Sequence, residues 1–389
     1  MTIKSKGTSP NFNSLSFSEI ETEFGSNPGR KLGRYRTDDT EFKNKNLGAL
    51  SNLPLDTGIP TSGQIKFSDF YDKKLNMVVD YFDDTGSAGG QADNILNRED
   101  NGDNTMAATW RYNNQDERVK VVGDYRGRPT GTMSGYSLSS TDWQNGKKVI
   151  IHVNKSVGGI KGLASNDVNK VALRTGEWPS GTSLQIDIGS SGRLQGAGGD
   201  GRRGTANGGT PDAAIAGTSG LGVEYPAQIN NNGIIRCGYG GGGGGAGSNS
   251  DPNKSKTDYG RSGGGGGGGA GIPIGFGAPK GGPGYNGSNA EITNVGGAGD
   301  DATFDAGGDP GSGADHGAGS GGSGNGGIGG DIVDNPAAGS AGSPNVARGG
   351  DPGQNGFGIV FSSTTVQNNS SGDKTIPANE GGVIVGGVF

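Results

Sequence analysis

Seven consecutive glycines, Gly263–Gly269, and six more at Gly240–Gly245 leave this chain two fates. Glycine loses more backbone entropy on ordering than any other residue. A tract this rich is therefore either disordered or held in a lattice that only glycine can build. Glycine fills 51 of the 150 positions from 201 to 350 but only 10 of the first 100, so the choice concerns the second half.

The pattern favours the lattice. Small residues recur every third position, in one frame at Gly308, Gly311, Ala314, Gly317, Ser320, Ser323, Gly326 and Gly329, and in another at Gly321, Gly324, Gly327 and Gly330. Three residues per turn is the period of an extended left-handed helix, which makes no internal hydrogen bonds. Its N–H and C=O groups then need partners outside the helix. Collagen meets that need with three chains and one strict frame, whereas here the frame slips and the glycines are contiguous. Helices packed side by side, with glycine on two or three faces per turn, fit better. Segments rich in side chains, at 248–262, 272–295, 300–306, 331–338 and 343–348, read as turns at the ends of such a bundle. The terminal Gly382-Val383-Ile384-Val385-Gly386-Gly387-Val388-Phe389 reads as a final anchored strand.

Two other regions precede it. Residues 1–75 contain a short repeat, Ser16-Phe17-Ser18-Glu19-Ile20-Glu21-Thr22-Glu23-Phe24 and Lys66-Phe67-Ser68-Asp69-Phe70-Tyr71. Ser16 with Glu19, and Ser18 with Glu21, fit capping boxes, and Phe17, Ile20 and Phe24 share one helical face. Two short amphipathic helices follow from this, each too short to stand alone in water. Residues 76–190 read as a β-sandwich-like domain with candidate strands at Met77–Phe82, Ala107–Tyr112, Val119–Tyr125, Val149–Val153, Lys170–Arg174 and Ser183–Ile188, separated by Asn, Asp and Gly turns. The three tryptophans, Trp110, Trp143 and Trp178, suit its core. The expected class is mostly β, divided as 1–75, 76–190 and a glycine-rich 191–389.

Composition narrows the compartment and chemistry. Only 29% of residues are hydrophobic, against about 45–50% in ordinary globular chains. No apolar stretch opens the chain as a secretion signal, and no run has membrane-spanning length. The single Cys237 rules out an intramolecular disulfide framework, as expected of a chain folded in a reducing cytoplasm. Residues 201–389 hold 9 Lys+Arg against 15 Asp+Glu and carry the whole net charge of −6. That acidity disfavours nucleic acid, despite Arg348-Gly349-Gly350.

His152 reads as a strand residue, and His316 beside Asp315 has no zinc-ligand spacing. Gly326–Asp334 matches a single calcium-binding nonapeptide, a motif that works only in tandem. Asp300, Asp301, Asp305 and Asp309 lack a framework that would set a glycosidase pair. No cofactor, metal or catalytic group is expected.

Several segments resemble tailed-phage virion proteins. Phe17–Gly25 and Ile59-Pro60-Thr61-Ser62-Gly63-Gln64-Ile65-Lys66-Phe67-Ser68-Asp69-Phe70-Tyr71 are similar to N-terminal modules of marine and cyanobacterial phages. Ile186–Gly196 and Ile229–Gly238 share a strand, a Ser-Ser-Gly or Asn-Asn-Gly turn, an apolar residue and then glycine, as in phage tail fibres. The glycine tract resembles the tip adhesins of T-even-type long tail fibres. In that family polyglycine II helices form a sandwich and distal loops bind the host receptor.

The resemblance implies a structural, non-enzymatic virion protein, a tail fibre or receptor-binding adhesin assembled in the bacterial host. Its partners would be other tail or baseplate proteins and a host outer-membrane protein or glycan, with a homotrimer expected and no membrane insertion. Virion attachment falls to Phe17, Ile20, Phe24, Phe67, Phe70 and Tyr71. Receptor binding falls to the side-chain-rich loops, at Tyr259, Arg261, Phe276, Tyr285 and Phe304. A tailspike depolymerase and a non-binding head-fibre or baseplate decoration protein are the alternatives.

Overall fold

The structure, a computed structural model, describes residues 3–8, 13–24, 30–35, 58–60, 62–73, 77–81, 119–122, 131–132, 148–154, 156–159, 171–175, 183–205, 211–247, 263–279, 296–313, 323–331, 334–341, 348–361, 378–379 and 383–385. Ala107–Tyr112, the three tryptophans and His316 lie outside them. Among the described residues the chain is mostly β with little helix.

The N-terminal repeat folds onto itself. Helix α1 (Phe17–Phe24) starts as its sequence requires: Ser16 N–H donates to the Glu19 carboxylate at 2.7 Å, and Glu19 N–H donates to Ser16 Oγ at 3.3 Å. In the second copy the Lys66 N–H donates to Asp69 at 2.7 Å, but the segment Phe67–Phe70 is a 3-10 turn rather than an α-helix. It stops because Tyr71 is extended and Asp72 turns to a φ of 62°. Ile3, Ile20, Tyr35, Ile59 and Phe70 form a buried core. Phe17 bridges the copies, with its ring 6.1 Å from Tyr35 and 6.0 Å edge-on to Phe67. The two short segments thus cover each other's apolar faces, and Ile20 and Phe70 are fully buried.

Lys4 pairs with Glu19 at 2.7 Å, and with the Ser16 bonds it pulls the Glu19 carboxyl down to about 2. A depressed carboxyl contributes stability above its unfolded pKa and loses it as pH falls through the folded value. Far-UV circular dichroism should therefore show α1 loosening between pH 4.5 and about 2. In Glu19→Gln that acid step should be absent.

The β region is a three-sided coil, and it differs from the expected sandwich. Its strands are β1 (Met77–Tyr81), β2 (Val119–Val122), β3 (Gly131–Thr132), β4 (Lys148–Val153), β5 (Ser156–Gly158), β6 (Val171–Arg174), β7 (Ser183–Ile188), β8 (Arg193–Gln195), β9 (Ser219–Val223), β10 (Ala227–Asn231), β11 (Ile234–Arg236), β12 (Ile359–Phe361), β13 (Ala378–Asn379) and β14 (Val383–Val385). They form sheets ordered β13-β10-β7-β4-β1-β2-β3, β14-β11-β8-β5 and β12-β9-β6. Apart from the antiparallel β1–β2 and β2–β3 pairs, every pairing is parallel. Each turn of the coil places one strand in each sheet, so strands from both sides of residue 190 share all three sheets. The sheets therefore cross the expected boundary between 76–190 and 191–389.

Apolar ladders fill the coil. Ile151 stacks on Ile186 and Ile229, Val157 on Leu194 and Ile235, and Leu173 on Leu221 and Ile359, all fully buried. A polar ladder runs beside the first, where Asn230 Nδ2 donates to Asp187 at 2.7 Å. The Ser-Ser-Gly and Asn-Asn-Gly turns stack where the chain passes from one sheet to the next. A Cβ on Gly192 or Gly233 would fall within 3.0 Å of the carbonyl of the turn beneath, which accounts for glycine in both copies.

Among the described residues, the glycine half forms extended, hydrogen-bonded rows. Strands β8 and β11 run straight on into the extended rows 196–205 and 238–247, and rows 211–218 and 348–358 run back into β9 and β12. The remaining rows are 263–270, 275–279, 296–302, 307–313, 323–330 and 336–341. Row 263–270 sits at the centre of six others. Gly263, Gly266 and Gly269 donate to Thr205, Arg202 and Gly199; Gly264, Gly267 and Ala270 donate to Gly324, Gly327 and Gly330; Gly265 and Gly268 donate to Gly297 and Asp300. Its carbonyls accept from Gly245, Gly242 and Tyr239, from Gly311 and Gly308, and from Ala278 and Gly275, and all fifteen bonds are 2.8–3.0 Å long. Each set advances by three residues. The row finds all these partners within one chain, so its satisfaction requires no second copy.

Candidate functional site

The rows alternate in direction, which sorts their connections into two ends. Turns 271–274 and 303–306, and that joining Asp331 to Asp334, lie at the end facing the sheets. Ile272 there bonds Gly159, just past β5, and Gly196, just past β8. At the far end the row termini cluster: Thr205 bonds Gly263 and Gly245, Gly324 bonds Ala246 and Gly264, and Gly350 bonds Gly244. The described rows that precede and follow residues 206–210, 248–262, 280–295, 314–322 and 342–347 in the chain all end there.

Of the five residues expected to meet the receptor, Tyr259, Arg261 and Tyr285 lie outside the described residues. Phe276 lies on the flank, 42% exposed, with its N–H held by Asp200 at 2.7 Å. Phe304 is at the opposite end, on the sheet side. Two of the side-chain-rich segments also divide differently from the expectation. Asp300 and Asp301 are row residues, and 275–279 is a row within what reads in sequence as one loop.

The Phe304 turn is clasped to the coil. Arg193 of β8 reaches Asp305 at 2.6 Å, and Arg236 of β11 pairs with the same oxygen. Gln195 Nε2 donates to the Phe304 carbonyl at 2.8 Å. The Arg193 bonds, with the charge of Arg236, hold the Asp305 carboxyl below its usual range. Arg236 is 7% exposed, so Asp305 rather than water offsets much of its charge. Asp305→Asn should lower stability by about 1–2 kcal/mol, discounted for the exposure of Asp305, as read by denaturant unfolding. Sequence gives no local signal for a clasp that joins residues so far apart in the chain.

Two of the four carboxylates considered for hydrolysis have structural partners: Asp305 in the clasp, and Asp301, which accepts from Gly277 N–H at 2.8 Å. Cys237 is buried beside Tyr239 and Ala270, and burial pushes its thiol up to about 11, so it stays protonated at neutral pH. In the N-terminal module Ile20 and Phe70 face inward, which corrects their assignment to docking. Tyr71 is half-buried, its hydroxyl donating to the Asn13 carbonyl. Phe67, at 39% exposure, is the large apolar side chain left open there among the described residues, with the partly buried Phe17 against it.

A hydrogen-bonded glycine lattice standing on a β-coil, with its row termini clustered at the outer end, defines a presenting scaffold. A family model described as phage tail fibre adhesin Gp38 matches residues 129–388, more than half of the chain. The chain belongs to this family, and is a tail fibre adhesin of the virion. Among solved structures it is similar to the gp37-gp38 adhesin tip complex of the bacteriophage S16 long tail fiber, at 17% identity over 90% of this chain and 95% of that one, with a TM-score of 0.36. No curated protein matches.

Proposed function

We propose that the glycine rows are polyglycine II helices and that their bundle carries a receptor-reading surface at its far end. The observation that supports this reading is the clustering of row termini at the end away from the sheets; the side-chain-rich stretches that carry Tyr259, Arg261 and Tyr285 join such termini in the sequence. Glycine backbone offers no side chain with which to discriminate, whereas Tyr and Arg are favoured anchors in recognition surfaces. The receptor is an outer-membrane protein or a glycan of the host. Purified protein should block adsorption of the phage reversibly and leave host surface glycan intact. A decoration protein would not block, and a depolymerase would strip the glycan.

Attachment to the fibre falls to residues 1–75, through Phe67 and the edge of Phe17 rather than through Ile20 or Phe70. Tail or baseplate proteins of the assembling virion are the partners. Deleting residues 1–75 should leave a folded remainder that fails to join the particle, checked by blotting purified virions. Normal incorporation would contradict the assignment.

A further inference from the structure

Row 196–205 lies at an edge of the lattice. Rows 238–247 and 263–270 bond it from behind, while 211–218 and 275–279 flank it. The flanking rows form the walls of a cleft of about 370 Å³ near the far end, with Gly201–Thr205 as its floor. Pro211 and Asp212 stand on one wall, Ala278 and Pro279 on the other. The volume falls within the range of small-molecule sites, roughly 300–1,000 Å³.

The lining has a definite chemistry. Arg202 and Arg203 are adjacent in a half of the chain that is otherwise acidic, and Asp212 is the one carboxylate in the lining. Arg202 is braced, its Nε donating to the Ala213 carbonyl at 2.7 Å. Among the described residues no donor reaches the carbonyls of Gly201 and Gly204, because the lattice has no further row on that side. Guanidinium groups recognise carboxylates through parallel N–H donors, and carbonyls accept from hydroxyls.

We propose that this cleft binds an acidic sugar, its carboxylate on the Arg202–Arg203 side and its hydroxyls on the carbonyls of Gly201 and Gly204. The inference rests on the adhesin reading for its purpose, a host surface glycan, but not for its chemistry. The test is calorimetric titration of the full chain with a galacturonic acid trisaccharide, a neutral galactose trisaccharide and inorganic phosphate. The charged trisaccharide should bind about tenfold more tightly than the neutral one, and Arg203→Gln should weaken it about tenfold. Asp212→Asn removes a like charge and should strengthen it several-fold, which keeps the test sound if Arg203→Gln misfolds.

Equal binding of the two trisaccharides, phosphate binding as tight as the uronate, or no response to either substitution overturns the proposal. Adsorption blocked by a protein that binds no uronate overturns the cleft and leaves the adhesin reading standing. Uronate bound by a protein that blocks no adsorption supports the cleft and counts against the adhesin reading.

Discussion

Valine in place of Gly266 should lower the melting temperature by about 10 °C. The Gly266 N–H donates to Arg202 at 2.9 Å, and its carbonyl accepts from Ala278 at 2.8 Å. A Cβ at Gly266 would fall within 3.0 Å of the Gly242 carbonyl, which belongs to a third row. The same clearance holds along Gly263–Gly269, where every added Cβ meets another row's carbonyl oxygen inside 3.0 Å. Valine must therefore force rows apart, and each buried group left unpaired costs roughly 1–3 kcal/mol. Ser255→Val, in the connection 248–262, should stay within about 0.5 kcal/mol of the parent. Thermal unfolding of both variants checks the contrast, and amide exchange along Gly263–Gly269 should be slow in the parent. Equal melting temperatures, or fast exchange throughout that run, would sink the lattice as a source of rigidity.

Adsorption should fall at least tenfold in phage carrying Tyr259→Ser with Tyr285→Ser, while the protein's melting temperature stays within a few degrees of the parent. Two truncated anchors at about 2 kcal/mol each would suffice for that loss. Phe304→Ser should leave adsorption unchanged, because its turn is clasped to the coil by Arg193, Arg236 and Gln195. Phe276→Ser, on the flank, should likewise have little effect. If Phe304→Ser abolishes adsorption and the tyrosine pair does not, the far end is not the receptor surface.

The lattice was legible in the sequence because its rule is local. A third-residue frame that slips is what a row with several neighbours requires. Gly324, Gly327 and Gly330 donate to Ala246, Gly243 and Gly240, while Gly326 and Gly329, in the other frame, donate to Gly311 and Gly308. The strands were legible too: five of the six candidate stretches overlap β1, β2, β4, β6 and β7, and the terminal apolar stretch supplies β14 on β11.

Their arrangement was not legible. Short β-branched strands with polar turns read alike in a sandwich and in a coil. What separates the two is parallel pairing across long insertions, such as β9 with β12, which flank most of the glycine rows. The Ser-Ser-Gly and Asn-Asn-Gly repeat was the visible trace of that coil. In the N-terminal module the amphipathic faces were plain, but their partner was the other copy, so Ile20 and Phe70 became core. The Arg193–Asp305 clasp and the Arg202–Arg203 cleft depend on which rows become neighbours, and no spacing along the chain encodes that.

The most direct test is to locate both ends of the molecule on the particle. Gold labels placed at residue 2 and at residue 259 of the full chain, imaged on intact virions by electron microscopy, report its orientation. The expected result is the residue 2 label against the fibre and the residue 259 label at its outermost tip. A residue 259 label buried against the fibre, or either label away from the tail, would contradict an adhesin that reads the host through the far end of its glycine lattice.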